Sequence, residues 1–135
     1  MAARTDYRLS KREKLCSPAD IDALFTNSGG SQAFIAYPLR VVWRINTRRR
    51  DPEDTTTKFL ISIPKRRLRH AVDRVRMRRL VREAYRLGRE ALSTPTGTPV
   101  DIAFIFVDSA LHPYSDITHA MQKALVRITQ QLSQE

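Results

Sequence analysis

The sequence is poor in cysteine and in long apolar runs, and both shortages exclude classes of protein. Cys16 is the one cysteine, so no disulfide can form within the chain, and no Cys/His spacing resembles a zinc site. The longest mostly apolar run, Val100 to Val107, is far shorter than the roughly 18 residues of a membrane-spanning helix. The charged stretch 1–14 lacks the apolar core of a signal peptide. We therefore expect a cytoplasmic protein without membrane attachment.

Acidic residues are also scarce: 14 Asp and Glu stand against 24 Lys and Arg, which gives a net charge of +10. The segment Lys65 to Arg89 carries eleven basic and two acidic side chains, and ten of the eleven are arginines. A guanidinium grips a phosphate with two parallel hydrogen bonds, whereas a lysine acts as a hydrated point charge. This distribution predicts one surface that binds nucleic acid, and it disfavours a membrane surface or a diffuse polycation.

The length of 135 residues and the hydrophobic fraction of 41% predict one compact RNA-binding domain over residues 1–135, with a polar N-terminal arm at 1–14. Ser17, Pro18 and Asp20 are typical of a helix start, because serine caps the first amides and proline fits the first turn. A short helix is predicted to follow.

Extended and polar segments alternate in the middle of the chain. Residues 33–45 are predicted to be extended, with Pro38 at a bulge, a bend or an edge position. Residues 46–57 contain no aliphatic or aromatic side chain and predict a mobile hairpin loop. Residues 58–63 predict a short strand, and residues 100–107 predict a strand buried on both faces.

Two longer segments have helical periodicity. Residues 68–88 place Met77, Leu80 and Val81 in one apolar stripe, and Ser115 is predicted to cap a last helix. The predicted order is α-β-β-α-β-α, in which a helix crosses between two strands. This order predicts an α+β fold with a mixed sheet and helices packed on it.

The helix of residues 68–88 has a second, basic side. With Met77 at the centre of the buried stripe, the opposite half holds Arg78, Arg79, Arg82 and Arg86, and the flanks hold Arg74 and Arg76. A solvated charged face is the alternative interpretation. It is disfavoured because such faces mix both signs of charge, and here Asp73 and Glu83 are the only acidic residues.

The run from Ser62 to Arg86 resembles the signature of the bacterial ribonuclease P protein component, whose helix carries R-N-R-x-K-R-x-x-R-E followed by a small residue and an aromatic. The sequence matches this pattern at Arg74, Arg76, Arg79, Arg82, Glu83 and Tyr85, with Arg78 in place of the usual lysine. Val75 stands where the family has asparagine, so an amide contact at that position cannot be made by the side chain.

The resemblance implies a four-stranded mixed sheet of the type called ribosomal protein S5 domain 2-like, with the arginine motif on a strand-helix-strand crossover. It implies the protein subunit of ribonuclease P, a ribonucleoprotein endonuclease that removes the 5′ leader from precursor tRNA. The implied partners are the catalytic RNA subunit and precursor tRNA, and Mg²⁺ is implied through that RNA. No catalytic side chain and no metal ligand of the protein is expected, and neither DNA nor a membrane is an expected partner.

The resemblance also assigns two sets of binding residues. The arginine helix would contact the RNA subunit through Arg69, Arg74, Arg76, Arg78, Arg79, Arg82 and Arg86. A cleft between the first helix and the sheet would hold the leader through Phe25, Phe34, Tyr37, Arg40, Lys65, Arg66 and Arg67. Core packing is at least as good an interpretation of each aromatic, and either Tyr37 or Trp43 is predicted to face the cleft.

Catalysis by the protein alone is disfavoured. His70, His112 and His119 are scattered along the sequence, and Asp101 and Asp108 flank one strand without forming a cluster. A structural ribosomal or ribosome-assembly protein is the alternative that composition permits. A DNA-binding helix is disfavoured because base readout usually needs Asn or Gln beside the arginines, and this helix has neither.

Overall fold

The computed structural model describes residues 8–26, 30–92 and 97–133. The helices are α1 (Pro18–Phe25), α2 (Ala71–Gly88) and α3 (Tyr114–Ser133). The strands are β1 (Gln32–Ala36), β2 (Leu39–Ile45), β3 (Lys58–Ser62) and β4 (Val100–Phe106). Short 3₁₀ turns lie at Lys11–Glu13 and Arg89–Ala91. Among the helices of these three described ranges, none is long and apolar enough to cross a membrane.

The four strands form one mixed sheet in the order β1-β2-β4-β3. β2 pairs antiparallel with both β1 and β4, and β3 pairs parallel with β4. Parallel neighbours cannot be joined by a tight turn, and α2 makes the connection between β3 and β4. The predicted α+β fold, with the arginine motif on a strand-helix-strand crossover, is confirmed.

The extended segment at 33–45 is two strands, so the chain has one strand more than the predicted order. A turn at Tyr37 and Pro38, whose peptide bond is cis, folds β2 back onto β1, with Ala36 paired to Leu39. Residues on both sides of the turn have the same apolar and β-branched composition, so Pro38 was the one local signal of the break. The α3 helix begins at Tyr114, one residue before the predicted cap.

Residues 46–57 do not form a hairpin loop, because β4 lies between β2 and β3. The segment is tied to the sheet by polar contacts. Arg49 is buried and places Nη2 2.7 Å from Oδ1 of Asp101, and the Asn46 amide donates to the same carboxylate at 2.8 Å. Composition identified a loop, and it could not show that a charged side chain of the loop lies inside the protein.

Helices cover the sheet on both faces. On one face, β2 residues such as Leu39, Val41 and Trp43 share a core with α2 and α3. On the other face, Val42 and Ala103 pack with Leu15 and with Leu24 of α1. β4 is the second central strand and is buried along nearly its whole length, as its apolar run predicted. The arrangement leaves α2 with one side against the core and one side outside.

Candidate nucleic-acid interface

The orientation of α2 is fixed by its apolar side. Met77 and Val81 have no exposed surface, and Leu80 is half-buried. The Tyr85 ring stacks on Phe59 of β3, with ring centroids 4.3 Å apart. Rotating the helix would expose these groups at a cost of about 25 cal/mol for each Å² of apolar surface. The opposite side of α2 is therefore held toward solvent.

That opposite side presents a ridge of exposed guanidinium groups, formed by Arg76, Arg78, Arg79 and Arg82. None of these four arginines forms a salt bridge with a carboxylate within the described part of the chain. Their charges are not neutralised by those carboxylates, and an external polyanion would meet all four. We call this set the arginine ridge.

Three other arginines of the predicted helix set lie differently. Arg69 is exposed but precedes α2 instead of lying on it. Arg74 Nη1 donates to the carbonyl oxygens of Leu68 and Arg69 at 2.9 and 2.8 Å, so this side chain holds the chain entering the helix. The role of Arg69 and Arg74 in RNA binding stays a prediction.

Arg86 is paired within its own helix. Its Nη2 lies 2.5 Å from Oε1 of Glu83, and its Nε donates to Oε2 at 3.1 Å. This hydrogen bonding raises the pKa of Arg86 and lowers the pKa of Glu83. Arg86 therefore extends the ridge with a partly compensated charge.

The face of the sheet that carries α1 is covered over only part of its area. Val42 and Ala103 lie beneath the helix and are buried. The next row of side chains on the same face runs across all four strands in register: Ile35, Arg40, Ile105 and Ser62. Ile35 is 58% exposed, and Arg40 is also exposed. We call this row the open strip.

Several predicted cleft residues lie at the end of the sheet where the open strip is. Tyr37 is 60% exposed in the β1–β2 turn, three residues before Arg40. Ser62 is paired with Ile105 at the end of β3, so Lys65 and Arg66 follow at the same end, and both are exposed. These residues lie at the same end of the sheet, from Tyr37 at the β1–β2 turn across Arg40 to Lys65 and Arg66 beyond β3 at the other edge, and Arg67 is half-buried.

Phe34 is not a cleft residue, and that part of the prediction is wrong. It is paired with Val41 on the opposite face, is 8% exposed and belongs to the core under α2 and α3. The Arg127 guanidinium of α3 lies 4.6 Å from the centre of its ring. Neighbouring strand residues point to opposite faces, and the prediction did not fix which of Phe34 and Ile35 points toward the cleft.

The structure also shows where Trp43, the alternative to Tyr37, and Phe25 lie. Trp43 is buried on the sheet face that carries α2 and α3, and its indole N–H donates to Gln131 Oε1 of α3 at 2.9 Å. Of the two alternatives, Tyr37 is therefore the residue beside the open strip. Phe25 is 46% exposed at the end of α1. The Ser31 hydroxyl donates to Leu24 O at 2.7 Å and places that end of α1 beside the start of β1. A role of Phe25 in leader binding stays a prediction.

His112, which lies far from the other two histidines in the sequence, stands between two carboxylates in the structure. Nε2 of His112 lies 2.5 Å from Asp108 Oδ2, and Nδ1 lies 3.0 Å from Asp116 Oδ2. The three residues are spaced by four along the sequence, which is the signal that sequence reasoning missed. Both ring nitrogens face carboxylates, so neither is left to act as a base on a substrate.

This cluster also contacts the cleft. The Tyr37 and His112 rings meet edge to face with centroids 5.6 Å apart. Hydrogen bonding to the Asp108 carboxylate raises the pKa of Tyr37, and hydrogen bonding from Tyr37 and His112 lowers the pKa of Asp108 to about 2. Burial lowers the pKa of His112, but its bonds to Asp108 and Asp116 outweigh this and raise it overall. The cluster orients Tyr37 at the end of the open strip.

Metal binding by the protein would need a group of carboxylate, histidine or cysteine side chains. In residues 8–26, 30–92 and 97–133, no three such side chains are arranged to hold a metal ion. The exposed cations support binding of a polyanion on two surfaces, the arginine ridge and the end of the sheet that carries Arg40, Lys65 and Arg66.

Three comparisons with known proteins agree. The family model for ribonuclease P matches residues 9–129. Ribonuclease P protein components from two strains of Porphyromonas gingivalis are each 38% identical over 131 residues, covering 95% of this chain and 91% of the relative. The solved structure of the RNase P protein from Thermotoga maritima matches with a TM-score of 0.65 at 17% identity, over 85% of this chain and 96% of that one, and shares its fold.

Proposed function

Since the chain belongs to the ribonuclease P protein family, we propose that it binds the RNA subunit of ribonuclease P through α2 and the 5′ leader of precursor tRNA along the open strip. It is a protein component of a ribonucleoprotein endoribonuclease that acts in tRNA processing. The arginine ridge is the single observation that carries the proposal, because its four guanidinium groups are exposed and make no salt bridge within the described residues.

The ridge suits a folded RNA in three ways. Its arginines project from a helix whose other side is locked in the core, so little conformational freedom of the backbone is lost on binding. Each phosphate that a guanidinium neutralises releases counterions, and the affinity then falls steeply with salt. Guanidinium groups also reach phosphates with two hydrogen bonds at once.

The open strip suits a single strand of RNA. Tyr37 offers an exposed ring on which a base stacks, and such stacking is worth about 1 to 3 kcal/mol per base. Arg40 on β2 supplies a positive charge for the phosphates of the RNA strand. Its neighbours on the adjacent strands, Ile35 and Ile105, give an apolar surface on either side of it. Lys65 and Arg66 lie at the rim, where the leader would leave the strip.

The chemistry of cleavage is proposed to lie in the RNA subunit. The protein positions the substrate, and Mg²⁺ acts through sites of the RNA, which needs it for folding and hydrolysis. We place this assembly in the cytoplasm, in keeping with Cys16, an exposed free thiol that a reducing compartment preserves.

Reconstitution tests the proposal. The protein is mixed with the cognate ribonuclease P RNA at low Mg²⁺, and cleavage of precursor tRNA is compared with that by the RNA alone. We expect stimulation by the native protein and a loss on the order of tenfold or more in RNA affinity for Arg79→Gln/Arg82→Gln at about 0.1 M salt. The matched control, Lys123→Gln/Arg127→Gln, removes two exposed charges from α3 and should keep the affinity. Absence of stimulation would favour a ribosomal or assembly role.

A further inference from the structure

The segment of residues 8–15 is fixed against the turn that follows α2 and against β3. Glu13 and Arg89 form a buried ion pair whose side chains are 10% and 3% exposed. Arg89 Nη2 also donates to the carbonyl oxygen of Arg8 at 3.1 Å. At its other end, the Leu15 amide donates to Phe59 O at 2.9 Å, beside a parallel bridge between Lys14 and Phe59. The segment therefore has a defined position beside the outer edge of β3.

A groove runs between this segment and α2. Arg8 and Leu9 line one wall, and Arg79, Arg82 and Arg86 line the other, with Leu80 between them. The depression that continues from it is lined by Lys11, Lys14, Phe59 and Arg82. Cations thus stand on both sides of a channel with apolar groups at its base. We call it the N-terminal groove.

The charges of the N-terminal groove are largely uncompensated. Lys11 and Lys14 are exposed, and like Arg79 and Arg82 they make no salt bridge to a carboxylate in the described ranges. Glu83, the carboxylate that lines the groove, is bound to Arg86. Positive walls over an apolar base complement a sugar–phosphate backbone, which has anionic edges and a less polar ribose.

We propose that the N-terminal groove binds the phosphate backbone of the RNA subunit, so that residues 8–15 extend the interface that begins on the arginine ridge. This inference rests on the proposed function. The groove lies on the sheet face that carries α2, as Leu9 and Phe59 belong to that core, whereas the open strip lies on the face that carries α1. A leader held in the open strip is therefore on the other side of the sheet, and the RNA subunit is the partner that the groove faces.

Binding of the cognate ribonuclease P RNA to the full-length protein, titrated from about 0.1 to 0.5 M monovalent salt at fixed Mg²⁺, tests the inference. We expect Lys11→Gln/Lys14→Gln to weaken binding on the order of tenfold at about 0.1 M salt and to reduce the slope of log K against log salt by about one to two. Lys11→Arg/Lys14→Arg should keep the native slope. Lys123→Gln/Arg127→Gln, on α3, serves as the control for general loss of charge.

The outcomes separate the two proposals. Suppose that Lys11→Gln/Lys14→Gln keeps the native salt slope while Arg79→Gln/Arg82→Gln reduces it. This result would overturn RNA binding by the N-terminal groove and leave the proposed function standing. Native slopes for both variants would overturn both proposals. The ratio of holoenzyme affinities for precursors with long and short leaders should be unchanged by Lys11→Gln/Lys14→Gln, and a changed ratio would contradict the assignment to the RNA subunit. Equal thermal midpoints of the variants and the native protein show that folding is intact.

Discussion

Glu13 and Arg89 lie 76 positions apart in the chain and form a buried ion pair, with Arg89 Nη1 2.5 Å from Glu13 Oε1. Glu13 also accepts from the Ser10 amide at 2.9 Å, which closes the turn at Lys11–Glu13. The pair joins the beginning of the described chain to the end of α2. A stretch that composition presents as a polar arm is thus partly an element of the folded domain, because one of its charges has a partner beyond α2.

Removing one member of this pair should be strongly destabilising. In Glu13→Ala the Arg89 guanidinium stays buried without its counter-charge, and such losses typically cost about 3 to 5 kcal/mol of unfolding free energy. Denaturant titration of the native protein and the variant measures the difference. Glu83→Gln breaks a half-buried pair at the surface of α2 and should cost less than the loss of the buried pair. Equal losses for the two variants would contradict a special role of the buried pair.

Much of the fold could be predicted because its signals are local. Ser17 and Pro18 mark the start of α1, and the Ser17 hydroxyl does accept from the Asp20 amide at 3.4 Å. The 3.6-residue period of α2 and the apolar run of β4 predicted which sides are buried. The pairing of β2 with β4 was missed, since it depends on contacts between residues far apart in the sequence and leaves no pattern in either strand alone.

Tyr37 should contribute to leader binding through its ring. Tyr37→Ala removes the exposed stacking surface, and we expect a loss of about 1 to 3 kcal/mol in the holoenzyme's affinity for precursor tRNA with a long leader. Tyr37→Phe keeps the ring and removes only the hydroxyl, so it should retain most of that affinity. Equilibrium binding of precursors with long and short leaders provides the measurement. An equal loss for both leader lengths would show that Tyr37 acts on something other than the leader.

The contact between His112, Asp108 and Asp116 should make stability depend on pH. The folded pKa of His112 lies above its ordinary value of 6.5, so its charge stabilises the fold fully below pH 6.5, and this contribution is lost as the pH rises through the folded pKa. Asp108, with its pKa lowered to about 2, contributes above its ordinary 3.8 and loses that contribution as the pH falls through about 2. Both contributions are present between about pH 4 and 6.5.

His112→Gln isolates the histidine in that window. We expect the native protein to exceed the variant in thermal midpoint most at about pH 5.5 and progressively less toward pH 8.5, since the variant has no proton to lose at this position. The facing groups, Tyr37, Asp108 and Asp116, are unchanged in the comparison. Midpoints that run parallel across the whole range would rule out titration of His112 as the source of the dependence.

The site was less predictable than the fold, and the reason differs between residues. Phe34 and Ile35 have similar chemistry, and one residue of strand register decides which of them faces the core. The exposed arginines were found because the helical period separates them cleanly from Met77 and Val81. Arg74 and Arg86 share that pattern: the i,i+3 spacing of Glu83 and Arg86 allows their pairing, whereas the bond from Arg74 to the Leu68 carbonyl becomes visible only in three dimensions.

Val75 allows a test of whether the arginine ridge binds RNA without the asparagine that the family pattern has at this position. The side chain is 46% exposed between Arg74 and Arg76, at the position where the family pattern has asparagine. Val75→Asn supplies an amide that donates and accepts hydrogen bonds, so we expect RNA affinity to rise a few-fold, in line with about 1 kcal/mol for one added hydrogen bond. Stability should change little because the position is not in the core.

Val75→Ala separates gain of the amide from loss of the valine. A similar rise in affinity for both variants would show that steric relief, and not a hydrogen bond, is responsible. No rise for Val75→Asn would mean that an amide at this position makes no contact with the RNA and that the arginine ridge binds without it.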